Sequence, residues 1–333
     1  MKNKLSFLAL LLILLSCHSG KEIEDTKSNL NQSWLSYWDK INRGELEIIN
    51  GDYASAKKYY EESLKNERFV FSDNLYNGLQ ISIELGDTLF GIKNAEKLIQ
   101  LGICEEFFSA NDFLKTIYEY ANKEIKSTNK AYRYALEEMF NADQEIRQSG
   151  GTRALRNKVD SLNFVRFQEL VIAYGYPTDQ KIGIDCSTNN KGISPPLHHI
   201  LMTHFSQHRY EEVLKILKKA LSEGEINPYH FSDYRYLYDI HDSYPNPIVR
   251  IGSQYYRYKL SEAQRNKANQ LRRSIGMSSI EEQINKIEYS LENDRGFRFF
   301  TPINNFPDSL FPDSLMNELF ERYDRFDRFS RTD

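Results

Sequence analysis

Residues 51–64 read Gly-Asp-Tyr-Ala-Ser-Ala-Lys-Lys-Tyr-Tyr-Glu-Glu-Ser-Leu, and this stretch decides how the chain is read. Ala56, Tyr60, Ser63 and Leu64 follow at steps of three and four or fall side by side, which sets small and apolar side chains on one helix face. The pattern returns 35 residues on, where Gly86-Asp87 repeats Gly51-Asp52 and leads into Gly91, Ala95, Leu98 and Ile99. A glycine suits the turn between paired helices, because without a Cβ it takes positive φ at little steric cost. Small residues at Ala56 and Gly91 would let the two helices of a unit approach closely. Helical periodicity extends from Trp34 to about Lys126, with a third helix over about Glu105–Lys126 capping the pair.

The spacing G-x-Y-x-x-A-x-x-x-Y-x-x-S-L resembles tetratricopeptide repeats, helix–turn–helix units of about 34 residues. The match is good in the first unit and degenerate in the second. Such repeats usually present a concave face, so the resemblance implies a protein or peptide partner; a plain helical spacer is the competing reading. Two repeats bury little core alone and are expected to pack on the next domain.

Further along, Ala131–Arg147 and Leu155–Tyr174 read as helices separated by Ser149-Gly150-Gly151. Residues 178–195 are loop-like. Leu197–Leu221 is a long amphipathic helix, and Leu260–Arg273 and Ile280–Leu291 are the last helices. Ile248–Tyr258 is the best candidate for extended structure. In the tail Phe-Pro-Asp-Ser-Leu occurs twice, at 306–310 and 311–315, and its prolines argue against a continuous helix. The expected fold is all-α: tetratricopeptide-like hairpins followed by a mainly helical domain with long loops. The expected segments are 1–16, 17–33, 34–126, 127–292 and an aromatic tail over 293–333.

The N-terminus sets the compartment. Lys2 and Lys4 precede an apolar run, Leu5–Leu15, broken only by Ser6. A charged start, a short apolar core and a small residue before the cut describe a secretory signal, too short to span a bilayer. Leu14-Leu15-Ser16-Cys17 resembles the lipobox of bacterial lipoproteins, which implies cleavage before Cys17 and acylation of its thiol with diacylglycerol and of the new N-terminus, palmitate being the expected chain. Residues 17–33 read as a flexible tether. Glu22, Glu24 and Asp25 are similar to the acidic signal that sends some Gram-negative outer-membrane lipoproteins to the cell surface; a merely soluble linker fits equally. The expected place is therefore the envelope of a Gram-negative bacterium, anchored to the outer membrane.

Charged residues make up 27% of the chain and the net charge is −4, so a nucleic-acid partner is disfavoured for want of a basic excess. Cys104 and Cys186 remain after Cys17; they read as free buried thiols or as a disulfide in an oxidising compartment, and their spacing makes no metal motif.

Residues 136–285 carry an ordered motif set: Asp143-Gln144-x-x-Arg147, Asp160-x-x-Asn163, Tyr174-Gly175-Tyr176-Pro177, Ile182-Gly183, Thr203-His204, Gly224-Glu225-Ile226, Asp239-Ile240 and Ile251-Gly252-Ser253-Gln254. The set resembles a bacterial family known chiefly as a domain of unknown function. This chain departs from that pattern at Thr203 (glutamine in the family), Ile240 (arginine), Ile251 (tyrosine) and Ser253 (threonine). If the motifs form an active site, this copy is altered. The resemblance implies no particular activity.

Two constellations bear chemistry. Asp143 and Arg147, at i and i+4, share a helix face, and Asp160 and His204 can face them. Such a group contains an acid/base residue and an oriented cation, enough for a hydrolase; the competing reading is a buried polar network that fixes how three helices pack. His204 and His208 lie on nearly one face and form a weak zinc half-site, without the glutamate of a metalloprotease. No nucleophile elbow, phosphate loop or dinucleotide fingerprint appears, and no cofactor is expected. The chain's 22 tyrosines, several clustered at 229–258, suit either sugar stacking or helix packing with a wet tip. The function expected from sequence is a lipid-anchored, non-enzymatic binding or scaffold protein; the alternative is an envelope hydrolase built on His204, Asp143, Arg147 and Asp160.

Overall fold

The computed structural model describes residues 32–124, 128–184, 186–187, 192–193, 197–236, 247–251, 254–292, 296–300, 304–306 and 323–325. The signal segment and Cys17, Asp239-Ile240, Gly252-Ser253 and almost all of the tandem Phe-Pro-Asp-Ser-Leu unit lie outside them. The chain is predominantly helical, in keeping with the all-α expectation. No helix among the described residues is long and apolar enough to cross a membrane. Two compact units emerge, one of residues 40–227 with 295–299, the other of 1–39, 228–294 and 300–333. The larger thus gathers helices from both regions that the sequence separates at residue 126.

Helix α1 (Gln32–Ile49) runs from the smaller grouping into the larger. The Gly-Asp recurrence then has a physical meaning. Gly51 and Gly86 sit at φ 77° and 63°, in the left-handed region that favours glycine. Each following aspartate caps the next helix: Asp52 accepts from the Ser55 N–H at the start of α2 (Tyr53–Ser63), at 3.0 Å. Asp87 does the same from Phe90 at 3.0 Å, between α3 (Ser72–Leu85) and α4 (Thr88–Gln100). Asp87 also takes the Lys57 ammonium of α2, so the second cap is tied back to that helix. The predicted face is buried: Ala56 and Tyr60 are fully enclosed, as are Ala95 and Leu98.

The single helix expected over 105–126 is instead two, α5 (Glu105–Phe108) and α6 (Asp112–Tyr120). Asn111 causes the break, because its side chain accepts the Leu114 N–H at 2.9 Å and starts a new helix there. Residues 296–299 dock on α3: Asn77 and Arg298 exchange side chain-to-backbone bonds at 2.8 and 2.7 Å, and the Arg298 guanidinium lies 4.3 Å from the Tyr76 ring centre.

The rest of the larger unit is α7 (Lys130–Gln148), α8 (Arg153–Tyr174), the short α9 (Asp179–Ile182) and α10 (Leu197–Glu223). α10 is kinked at Arg209, whose φ of −136° and ψ of 39° leave the helical region. α7, α8 and α10 pack on one another, with Phe164 and Phe167 of α8 closing on Phe205 of α10 at 5.4 and 5.8 Å between ring centres. The expected loop at 178–195 contains α9 and an antiparallel pair, β1 (Cys186–Ser187) with β2 (Gly192–Ile193). Cys104 is disulfide-bonded, which corrects the reading of it as a free buried thiol. The Ile184 N–H donates to the Leu101 carbonyl at 2.9 Å, bringing the backbone leading to Cys186 alongside that leading to Cys104. The Cys186 side chain lies outside the described atoms.

In the smaller unit α11 (Pro228–Tyr236) precedes β3 (Ile248–Ile251) and β4 (Gln254–Tyr258), an antiparallel pair in which Val249 faces Tyr256. The extended structure expected over 248–258 is therefore present, and the tail enlarges it. β5 (Asn304–Phe306) joins β3 in parallel and β6 (Tyr323–Arg325) joins β4 antiparallel, giving the order β5-β3-β4-β6. Helices α12 (Glu262–Ser274) and α13 (Ile280–Glu292) supply Ala268, Ile280, Ile284 and Ile287 to a core with Ile248. Ser261 and Gln264 form a capping box at the head of α12. Trp34 and Trp38, 1% and 2% exposed, meet edge-to-face at 5.6 Å, and Trp38 reaches Tyr229 at 6.2 Å, so the tryptophan pair staples the start of α1. Tyr229 is buried, its hydroxyl held by the Ser278 N–H at 3.0 Å, which is packing rather than a sugar platform.

Candidate functional site

Asp143 and Arg147 lie one turn apart on α7, so their side chains emerge together. Asp160 reaches them because the connection to α8 is tight: Gly150 adopts φ 71° and the Gly151 N–H donates back to Ile146 at 2.9 Å. His204 arrives from α10, flanked by the fully buried Leu201, Met202 and Phe205. All four residues singled out from sequence thus meet on one seam of three helices.

The geometry is a linked chain. Nδ1 of His204 lies 2.8 Å from Oδ1 of Asp143. Arg147 places one terminal nitrogen 2.7 Å from that same oxygen and the other 3.0 and 3.1 Å from the two oxygens of Asp160. Gln144 donates to the remaining Asp143 oxygen at 2.7 Å. Asn163 completes the seam by donating to the Met139 carbonyl of α7 at 3.0 Å. Charge-assisted bonds of this kind are about twice as strong as neutral ones.

Asp143 is 0% exposed and Asp160 4%, while the side chains of Arg147 and His204 keep 20% and 17%. Burial pushes the Asp143 carboxyl up, but the His204 hydrogen bond, the charges of His204 and Arg147, and the Gln144 amide outweigh it and hold it below its ordinary value. Nε2 of His204 makes no hydrogen bond among the described residues. The arrangement can hold an imidazole in one orientation. Among the described residues it has no nucleophile attached and no unoccupied carboxylate oxygen on Asp143.

Atoms of Asp143, Asp160 and His204 lie within 4.8 Å of one another, a spacing that suits a metal ion. Arg147 already bridges the two carboxylates, so an incoming cation would meet a fixed positive charge; the donor set fits a metal poorly. The side chain of His208, the other weak metal candidate, lies outside the described residues. His198 is a core residue instead: it is 3% exposed, its ring stands edge-on to Tyr176 at 5.3 Å, and its Nδ1 has no hydrogen-bond partner among the described residues. Burial, with a smaller contribution from His199, drives its pKa well below the ordinary value, so it stays neutral.

A second group of motif residues gathers around Glu225. Its carboxylate accepts the Tyr176 N–H at 3.0 Å and pairs with the Lys181 ammonium, so the Tyr174–Pro177 turn is pinned to the end of α10. The Tyr132 hydroxyl donates to the Gly175 carbonyl at 3.0 Å. Sequence reasoning missed Gln144 as a partner of Asp143, since adjacent helical residues do not ordinarily face each other. It also missed the Lys181–Glu225 pair, for which only the Gly-Glu-Ile motif gave any signal. A cleft of about 140 Å³ is lined by Glu67, Val70, Lys97, Gln100, Leu101 and Gln180, too small for a drug-sized ligand. No known family model, curated protein or solved structure matches the chain.

Proposed function

We propose that this chain is a lipid-anchored protein of the Gram-negative envelope whose helical body acts as a non-enzymatic binding scaffold. The single observation that carries the non-enzymatic part is the state of Asp143: it is fully buried, and both of its oxygens are engaged by His204, Arg147 and Gln144. A carboxylate so occupied fixes the packing of three helices, and no substrate-contacting role is left to Asp143 itself. The lipobox at Leu14–Cys17 supports the anchor, and a disulfide-bonded Cys104 supports an oxidising compartment outside the cytoplasm. The tetratricopeptide-like spacing supports a protein or peptide partner on the repeats, and the acidic residues at 22–25 support export to the outer surface. Of the ordered motifs, Asp143, Gln144, Arg147, Asp160, Asn163 and His204 are read as parts of this packing seam.

The anchor is tested by replacing Cys17 with serine. The unaltered chain is expected to take up labelled palmitate and sediment with membranes. The serine variant should take up none, and its membrane-bound fraction should fall at least about tenfold, because each buried CH₂ adds about 0.8 kcal/mol of membrane affinity. Equal membrane binding by the two would sink the anchor.

A second reading keeps the hydrolase, because one observation favours it: Asp143 grips Nδ1 of His204 and leaves Nε2 unbonded among the described residues, as a carboxylate orienting a general base would. His204→Ala separates the two. The scaffold reading expects a stability loss of about 1–3 kcal/mol, since the buried Asp143 carboxylate loses a hydrogen-bond partner, and no hydrolysis by either protein. Hydrolysis of ester, amide or phosphoester reporters that disappears in a folded His204→Ala variant would establish the enzyme instead.

A further inference from the structure

Helix α8 has two seams. Asp160, Asn163, Phe164 and Phe167 face inward and are buried. On the opposite face Leu155, Leu162, Val165 and Ile172 stand 43%, 62%, 52% and 85% exposed. Lys158 and Glu169 lie between them, and neither forms an ion pair among the described residues. The six positions 155, 158, 162, 165, 169 and 172 advance by 3, 4, 3, 4 and 3. That is the seam spacing by which one helix packs along another, here over about 26 Å. No described residue of the larger unit covers this seam.

The order of residues along it says what it fits. The pattern is a palindrome about the midpoint between Asn163 and Phe164. When a second α8 is laid antiparallel on the first, Leu155 meets Ile172, Leu162 meets Val165 and Lys158 meets Glu169, each pair occurring twice. A parallel pairing would set Lys158 on Lys158 and Glu169 on Glu169, which repels. A bilayer would have to accept Glu169 in the middle of the apolar stripe. We propose that this face is a homodimer interface: two copies of the chain pair antiparallel through α8 about a two-fold axis. Such a contact is isologous and closes on itself, so it makes dimers and not filaments. A single helix pair buries little area, which places the dimer among the weaker specific assemblies.

The test is the monomer–dimer equilibrium of the full-length chain in density-matched detergent, measured by sedimentation over a concentration series. Lys158→Glu and Glu169→Lys each replace two attractive pairs by two repulsive ones, and each is expected to raise the dissociation constant about tenfold or more. The double exchange, Lys158→Glu with Glu169→Lys, restores the pairing in mirror form and should return to within about threefold of the unaltered chain. Leu162→Asp with Val165→Asp should leave only monomer. All four positions lie on the outward face of α8, so the fold is expected to tolerate these changes, and circular dichroism checks that it does. A chain that is monomeric throughout, a double exchange no tighter than the single variants, or a dimer indifferent to the Leu162/Val165 change would each overturn the proposal. So would a monomer that binds anionic vesicles through these same residues.

Discussion

Asp143→Ala is expected to lower the thermal midpoint of the larger unit by roughly 10 °C, the equivalent of about 3–5 kcal/mol. Asp143 is the node of the network: His204, Arg147 and Gln144 all bond to it from within the three-helix seam. Removing it takes from a largely buried guanidinium one of its two carboxylates, leaving Asp160 and the long bond to the residue 143 carbonyl, and leaves the imidazole without its acceptor. Asp143→Asn keeps the volume and one acceptor and is expected to cost about 1–3 kcal/mol. The pH dependence separates a charge effect from a volume effect. The carboxyl is held below its ordinary 3.8 in the folded chain, so the unfolded chain takes up its proton first as the pH falls. The contribution is therefore complete above about pH 4 and is lost as pH drops through the lower folded value. The stability of the unaltered chain should fall steeply there, and Asp143→Asn should flatten that part of the curve. Equal steepness in the two proteins would remove Asp143 as the source.

Gly91→Leu is the second large effect, expected at about 3 kcal/mol by chemical denaturation. A Cβ at Gly91 would stand 2.3 Å from Cδ1 of Ile117 on α6 and 2.8 Å from Oγ of Ser82 on α3. Ile117 is fully enclosed and has little room to withdraw. Gly91→Ala makes the same contact but gains about 1 kcal/mol of helix propensity, so its net cost is smaller. The contact itself is isolated by pairing Gly91→Ala with Ile117→Val, which deletes the clashing methyl. The double variant is expected to be more stable than the two separate losses would give, by about 1 kcal/mol. Simple additivity would show that the glycine is not needed for close approach.

These two residues mark how far the sequence could be read. Gly91 stood out because a small residue recurs at helical spacing, and the structure puts Ile117 and Ser82 against it. The paired Gly-Asp turns were equally legible, since positive φ and an N-cap are properties of a few consecutive residues. Asn111 was also local, yet the periodicity running through it concealed the break between α5 and α6. The 304–306 and 323–325 strands were not legible, because strand pairing partners lie dozens of residues away and the tail by itself shows no alternation.

For the candidate site the division is similar. Asp143 and Arg147 were bound to share a helix face by their spacing alone, and Asp160 could be placed across the turn at Gly150. That His204, 61 residues from Asp143, bonds to it was a conjecture from motif order. What tertiary structure alone decided was the degree of burial: Asp143 and Asp160 are enclosed, whereas Arg147 and His204 keep 20% and 17% of their side-chain surface. Helix periodicity reports which residues face inward, a property of the local backbone. Whether water reaches a polar cluster depends on what other segments cover it, and that is set by packing between helices far apart in the chain.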